Sequence, residues 1–150
     1  MRSSIERERR LWGAAWLGLT LAFAVHVADE SLTGFLDLWN PFVESVRGRV
    51  VWSPLPTLSF AEWLTGLVIL LTVLAALSGA AFRGLMWMRP VSYVFASIMM
   101  LNGLGHLAGS LYLGRPVPGV YSAPLLIVGA GLLLVSTRRY GMTAARAKSR

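Results

Sequence analysis

The stretch LWGAAWLGLTLAFAVHVADE, residues 11–30, decides the fold. It is apolar apart from Thr20 and His26 until it reaches Asp29 and Glu30, and its length is close to the roughly 20 residues that cross a bilayer core. We therefore predict a membrane-spanning helix with an inner end that projects from the bilayer. The alternative is a cleaved signal peptide with a small-residue site at residues 22–24, but the apolar run is long for that, and cleavage would detach the span.

The rest of the chain shares this apolar character. Mean hydropathy is +0.61, and 55% of the 150 residues are hydrophobic, which is more than a soluble protein of this size can cover with polar groups. We predict an all-α membrane protein, a single domain over residues 1–150. Its four spans are expected at about 11–32, 62–82, 90–113 and 120–140, with basic cytoplasmic tails at 1–10 and 142–150, the second of them disordered.

Charge and cysteine content exclude some classes of function. The chain has no cysteine, which excludes disulfides and thiolate metal sites. The net charge of +7 would suit nucleic acid, but the basic residues flank the apolar runs. That pattern is typical of a membrane protein, so we predict the lipid bilayer as partner and no nucleic acid.

The basic residues also predict orientation. Three of the fourteen Lys and Arg residues, Arg47, Arg49 and Arg115, fall in the connections on one side, and the other eleven fall in the termini and the 83–89 turn. We therefore predict a multi-pass protein of the inner cell membrane with both termini in the cytoplasm.

Residues 31–59 are too apolar for a simple loop, and we predict an outer interfacial segment that packs over the mouth of the bundle. Asn40-Pro41 resembles an N-cap followed by proline at the first helical position, which predicts a short helix over 42–47. We assign the tryptophans mainly to the membrane interface; they are Trp12, Trp16, Trp39, Trp52, Trp63 and Trp87.

Ser59 and Glu62 have the spacing of a capping box just before the second span. Glu62 is therefore interpreted as a helix cap in preference to a ligand, although we keep it, with Asn102, as a supporting polar residue of the site.

Two polar groups interrupt the spans and contain both histidines. His26, Asp29 and Glu30 are spaced i, i+3, i+4, and Asn102 and His106 are spaced i, i+4, so each set shares one helix face. If the first and third spans are neighbours, all five side chains surround one cavity in the outer half of the bilayer.

The depths of the two histidines support this. His26 lies eight residues before Gly34, and His106 lies eight before Gly114, and both glycines are expected helix ends. At 1.5 Å per residue, both imidazoles lie about 12 Å inside their helix ends.

Inserting an ionisable side chain into a membrane span costs about 2.5–3.5 kcal/mol or more, unless the group is paired or in contact with water. Such residues therefore indicate a functional site. Imidazoles and carboxylates suit Zn, Fe or Mn. We predict a divalent metal bound by four ligands, with Asp29 and Glu30 also catalytic, in a hydrolase or oxidoreductase acting on a lipid-like molecule. The metal ligands are predicted to be His26, Asp29, Glu30 and His106.

Several alternatives remain open. His26 and His106 could be the axial ligands of a b-type haem, or the same groups could carry out metal-free acid–base chemistry on an isoprenoid or sterol-like molecule. The protein could also be a non-catalytic proton-linked carrier or partner protein, for which four spans would suggest a homo-oligomer. In the structural interpretation, the histidines only bond a carboxylate and lock two helices together.

The ordered motifs from the first span to the fourth resemble those of the HXXEE family of small integral membrane proteins. The resemblance implies an intramembrane site at His26, Asp29, Glu30, Asn102 and His106, and no particular reaction. Asp29 departs from the first glutamate of the family motif. The matching motifs are His26-x-x-Asp29-Glu30, Leu32-Thr33-Gly34-Phe35, Asn102-x-x-x-His106 and Pro118-Gly119.

Overall fold

The computed structural model describes residues 2–50 and 52–148, and these form helices joined by turns, with no strand in the described part. The five helices are α1 (Arg2–Thr33), α2 (Phe35–Arg47), α3 (Phe60–Phe82), α4 (Met88–Leu113) and α5 (Ala123–Lys148). Of these, α1, α3, α4 and α5 are long and apolar enough to cross a membrane. The predicted all-α architecture with four spans is confirmed.

Helix α1 lies at the centre of the bundle. It packs against α5 and α3, and α4 packs mainly against α5, so α1 and α4 approach each other only slightly along their backbones. Long side chains fill the space between them. The Trp12 indole donates a hydrogen bond to Ser92 Oγ on α4 at 3.0 Å.

The tryptophan prediction is wrong for Trp12, Trp16 and Trp63, which are buried in the bundle. The indole N–H explains how the first two can be buried, because each has a partner within the protein. Trp12 bonds Ser92, and the Trp16 indole donates to the backbone carbonyl oxygen of Leu74 on α3 at 2.9 Å.

Glycines end two of the spanning helices, as predicted. Gly34 follows α1 with φ 78°, and Gly114 follows α4 with φ 62°. Both lie in the left-handed region, which glycine adopts without steric cost. The chain therefore turns within a single residue at the C-terminal end of each of these spans.

The predicted start of the short outer helix is wrong, because α2 begins at Phe35 directly after Gly34 and contains Pro41. Asn40 does not cap a helix. Its side-chain amide instead bonds the backbone of Leu58, donating to the carbonyl oxygen and accepting from the N–H, both at 3.0 Å. This long-range pair holds α2 against the segment that leads into α3.

The predicted disorder after Gly141 is also wrong for the described residues, because α5 continues without a break to Lys148. A Cβ at Gly141 would overlap the guanidinium of Arg89. Gly141 therefore provides room for a neighbouring side chain and does not end the helix. Met1, Ser149 and Arg150 of the predicted tails lie outside the described residues.

The capping box before α3 is present. Ser59 Oγ accepts from the Glu62 backbone N–H at 3.3 Å, and Glu62 Oε2 accepts from the Ser59 backbone N–H at 2.8 Å. These bonds satisfy two backbone donors at the start of the helix.

Candidate metal centre

The two imidazoles meet at the same level near the C-terminal ends of α1 and α4. The ring centroids of His26 and His106 are 4.7 Å apart, and the rings are inclined at 74°. The equal spacing from Gly34 and Gly114 thus correctly predicts that the two histidines are level. They meet although the backbones of α1 and α4 stay apart, because the side chains extend into the gap.

Glu30 joins the two rings. Its Oε1 atom lies 3.5 Å from His26 Nε2 and 3.2 Å from His106 Nε2. The ligand-capable atoms of the three residues all lie within 4.8 Å of one another. We call His26, Glu30 and His106 the outer cluster. His26 is fully enclosed and Glu30 is 5% exposed, so the cluster is shielded from solvent.

Gly119 closes the outer cluster from the loop between α4 and α5. A Cβ at this position would lie 2.8 Å from Cε1 of both His26 and His106 and 3.0 Å from Glu30 Cγ. Gly119 also has φ 83°, in the left-handed region. Only glycine lets this loop backbone approach so closely.

Asp29 does not belong to the outer cluster. Its Oδ2 atom accepts hydrogen bonds from the backbone N–H and the hydroxyl of Ser122, at 2.9 and 2.7 Å. Ser122 directly precedes α5. The carboxylate is therefore placed at the positive end of the α5 dipole, which favours its negative charge.

Ser122 is the site residue that the sequence analysis missed. Its Oγ lies 2.8 Å from His26 Nδ1, so it contacts both His26 and Asp29. A local pattern could have identified it, because a serine followed by Ala123-Pro124 and an apolar run is typical of a helix start. Its partners on α1, more than 90 residues away, could not have been inferred from that pattern.

The two supporting residues form no hydrogen bond or ion pair with the outer cluster in the described part of the chain. Asn102 is half-buried on α4, and its Oδ1 is enclosed without a hydrogen-bond partner among the described residues. Glu62 caps α3 through Ser59. The structure therefore brings together three of the six residues proposed for the site.

A cavity of about 340 Å³ lies beneath α2 and reaches the outer cluster at Glu30. Phe35, Phe60 and Trp63 line it, and the Phe35 ring centroid lies 5.8 Å from that of Trp63 and 6.5 Å from that of His106. The segment after Gly34 thus forms an entrance to Glu30 with both aromatic and polar walls, of a size at the lower end of small-molecule sites.

The spacing within the outer cluster suits a small cation. Two ligand atoms about 2.1 Å from a tetrahedral metal ion are separated by about 3.4 Å, and the two distances from Glu30 Oε1 are 3.2 and 3.5 Å. Two imidazoles and one carboxylate could therefore hold a metal ion with modest adjustment. Three protein ligands leave a fourth position free, as in catalytic zinc sites.

Comparison with known proteins identifies the family but no activity. No curated protein and no solved structure matches the chain. The family model described as a protein of unknown function with HXXEE motif matches residues 16–134, which include every residue of the outer cluster and Ser122. The chain belongs to this HXXEE family.

Proposed function

We propose that this protein is a metal-dependent membrane enzyme that binds one divalent cation in the outer cluster and acts on a lipid-like molecule. The observation that carries the proposal is the convergence of His26, Glu30 and His106 within 4.8 Å. Burying a carboxylate among apolar helices is costly, and a bound cation would offset that cost.

The proposed chemistry is hydrolysis by a metal-activated water. A divalent metal lowers the pKa of bound water so that hydroxide forms near neutral pH. Glu30 would supply one oxygen to the metal, and its second oxygen could accept the proton of that water. Oxidation remains the second reaction class for a redox-active metal such as Fe.

The cavity beneath α2 supports a lipid-like substrate. Its wall combines aromatic and aliphatic side chains with the polar residues Ser31, Asp37 and Asn40, and Glu30 lies where the cavity meets the cluster. An amphipathic molecule from the outer leaflet could place its apolar body against Phe35 and Trp63 and its polar group at the metal.

Metal content is the first experiment. The protein is purified without added metal, dialysed, and examined by elemental analysis and absorption spectroscopy. We expect about one Zn, Fe or Mn per chain, and loss of most of it in His26→Ala, His106→Ala and Glu30→Gln. Glu62→Gln is the matched control, because that carboxylate lies at a cap outside the cluster. Metal-free protein in every state, even after Zn addition, would contradict the proposal.

The activity itself can be tested in nanodiscs. Lipids with ester, amide and phosphoester bonds are supplied, and products are followed by mass spectrometry. We expect turnover that a chelator abolishes and added metal restores. Turnover that survives the chelator but fails in His26→Ala would instead support metal-free acid–base chemistry on an isoprenoid or sterol-like molecule.

The haem alternative has less support from the geometry. Axial imidazoles in a bis-histidine haem lie on opposite faces of the porphyrin. Here the two rings contact each other, and both Nε2 atoms lie near the same Glu30 oxygen. A Soret band in protein from haem-replete cells would reverse this preference.

A non-catalytic proton-linked carrier or partner protein remains the second candidate. The arrangement of a carboxylate between two imidazoles in a membrane protein favours it, because such groups can relay protons. Flux that depends on a proton gradient in sealed vesicles, without bound metal, would support the carrier.

We also propose that both termini face the cytoplasm. Tyr140 on α5 stacks on Trp12 of α1 and donates to the carbonyl oxygen of Gly84 in the turn before α4. The basic segments at the two termini and in this turn therefore lie at the same end of the bundle, as the positive-inside rule requires of one face.

A further inference from the structure

We propose that Ser122 and Asp29 fix the His26 ring as the Nδ1–H tautomer, so that the Nε2 lone pair is directed into the outer cluster. This inference rests on the hydrogen bonds around Ser122. In this role Ser122 and Asp29 are positioning residues for His26. The tautomer does not depend on the function proposed above, whereas its consequence for metal binding rests on that function.

The first step concerns the Ser122 hydroxyl, which has one proton and several neighbours. Asp29 Oδ2 lies 2.7 Å from Ser122 Oγ and already accepts the Ser122 backbone N–H at 2.9 Å. An oxygen that accepts one bond in this position is available to accept a second. The Gly119 carbonyl oxygen also lies near the hydroxyl, but farther away at 3.2 Å. The hydroxyl proton therefore goes to Asp29.

The second step concerns His26. Its Nδ1 lies 2.8 Å from Ser122 Oγ, a hydrogen-bond distance. Because the hydroxyl has used its only proton on Asp29, Ser122 can only accept a bond from the ring. Nδ1 must then carry the ring proton. In the neutral imidazole this leaves Nε2 as an acceptor.

The third step concerns what Nε2 faces. His26 Nε2 is enclosed and has no hydrogen-bond partner among the described residues, and the nearest carboxylate oxygen, Glu30 Oε1, is 3.5 Å away. Two lone pairs therefore face each other inside the protein. A cation between them relieves this repulsion, and a protein-bound metal ion commonly has a histidine whose other nitrogen donates a bond to an outer partner.

A serine nucleophile is the rival interpretation of the same atoms. In a Ser122–His26–Glu30 triad the hydroxyl would donate to Nδ1, and the ring would carry its proton on Nε2. Asp29 Oδ2, at 2.7 Å from the hydroxyl oxygen, competes for that proton, and Ser122 is only 6% exposed. The two interpretations place the ring proton on different nitrogens, so one measurement separates them.

The measurement is nitrogen NMR of the full chain labelled with ¹⁵N-histidine, in nanodiscs. The chain has two histidines, so His26→Ala assigns both ring systems. The sample is treated with a chelator, and the pH is raised until the spectra report neutral rings. We expect a protonated Nδ1 and an unprotonated Nε2 for His26. A proton on Nε2 would overturn the inference, whether or not the protein ever binds metal.

Variants then test whether Ser122 sets the His26 tautomer. In Ser122→Ala, we expect the His26 tautomer to shift towards Nε2–H, and Ser122→Thr should keep the wild-type spectrum. Ser136→Ala is the matched control, because it removes a buried α5 hydroxyl that donates to the Leu133 carbonyl oxygen of its own helix. An unchanged His26 tautomer in Ser122→Ala would show that Ser122 does not set it. If Ser122→Ala fails to fold, the wild-type and Ser122→Thr spectra still decide.

Zinc titration tests whether the position of the His26 ring affects metal binding. We expect Ser122→Ala to bind zinc about 10- to 100-fold more weakly than wild type, as when other hydrogen-bond partners of metal-binding histidines are removed. Ser136→Ala should bind zinc like wild type. If no variant and no wild-type sample binds zinc but the wild-type tautomer is Nδ1–H, the proposed function fails and the positioning role of Ser122 stands.

Discussion

Gly119 leaves the space that all three side chains of the outer cluster need. A Cβ at this position would overlap each of them. A methyl group there would press on Cε1 of both imidazoles. Because protein interiors are closely packed, the rings could not move aside without shifting Glu30 as well. The shape of the cluster therefore depends on a residue that contributes no ligand atom.

We expect Gly119→Ala to abolish tight metal binding and to lower stability by at least about 1 kcal/mol, since an alanine at positive φ is itself strained by about that much. Metal titration and thermal unfolding in detergent check this. Gly114→Ala is the matched control: Gly114 also has positive φ, but a Cβ there would meet no atom within 4 Å. It should lose stability and keep its metal. Wild-type metal affinity in Gly119→Ala would contradict the close approach that the structure shows.

The site residues differ in how far the sequence could predict them. His26 and Glu30 are one helical turn apart, and the depth of His106 follows from its distance to Gly114, so local spacing was sufficient. The partner of Asp29 was not predictable in this way. Asp29 bonds Ser122, 93 residues away, and the i+3 spacing that it shares with His26 gives no sign of that partner.

At the scale of helices, local sequence patterns predicted where α1 and α4 end and how α3 begins. Left-handed glycines and the Ser59–Glu62 box act through the backbone of a few adjacent residues. The failures involve distant partners. Asn40 pairs with Leu58, and Gly141 accommodates Arg89. In both cases a residue type typical of a helix end serves instead to contact another element.

Variants of Ser59 and Glu62 show whether Glu62 acts as a helix cap or as a residue of the site. We expect Ser59→Ala and Glu62→Ala each to lower stability by about 0.5–1 kcal/mol through loss of the capping box. Neither change should alter metal content, because Glu62 lies outside the outer cluster. Glu62→Gln can still form the box and should resemble wild type in both respects. Loss of metal in Glu62→Gln would place this carboxylate in the site after all.

Three side chains of α2 bond the segment that leads into α3: Asn40 pairs with Leu58, the Trp39 indole donates to the Pro56 carbonyl oxygen at 3.1 Å, and the Arg47 guanidinium donates to the Leu55 carbonyl oxygen at 2.8 Å. We expect Asn40→Ala to lower stability by about 1–2 kcal/mol, since it removes two hydrogen bonds worth about 0.5–1.5 kcal/mol each. It should also speed proteolysis between α2 and α3. Thermal unfolding and limited proteolysis provide the measurements. Asn40→Asp keeps the acceptor for the Leu58 N–H and loses the donor, so an intermediate effect is expected. Wild-type behaviour of both variants would show that other contacts hold the segment.

At the scale of the whole molecule, the bundle has two different ends. One end collects the terminal segments and the turn between α3 and α4, where Tyr140 contacts both Trp12 and Gly84. The opposite end holds the cluster, closed by Gly119 and reached from the cavity beneath α2. A substrate for the outer cluster would therefore approach from the side opposite to the basic segments.

The orientation of the bundle in the membrane can be measured directly. Because the sequence has no cysteine, each single-cysteine variant carries only one thiol. Ser3, Ser45 and Ala145 are exposed positions on α1, α2 and α5. With both termini inside, a membrane-impermeant maleimide should label Ser45→Cys in intact spheroplasts, and should label Ser3→Cys and Ala145→Cys only after the membrane is permeabilised. Labelling of all three in permeabilised cells controls for reactivity. The reverse pattern in intact cells would place the outer cluster near the cytoplasm, and labelling of only one terminus would contradict an even number of spans.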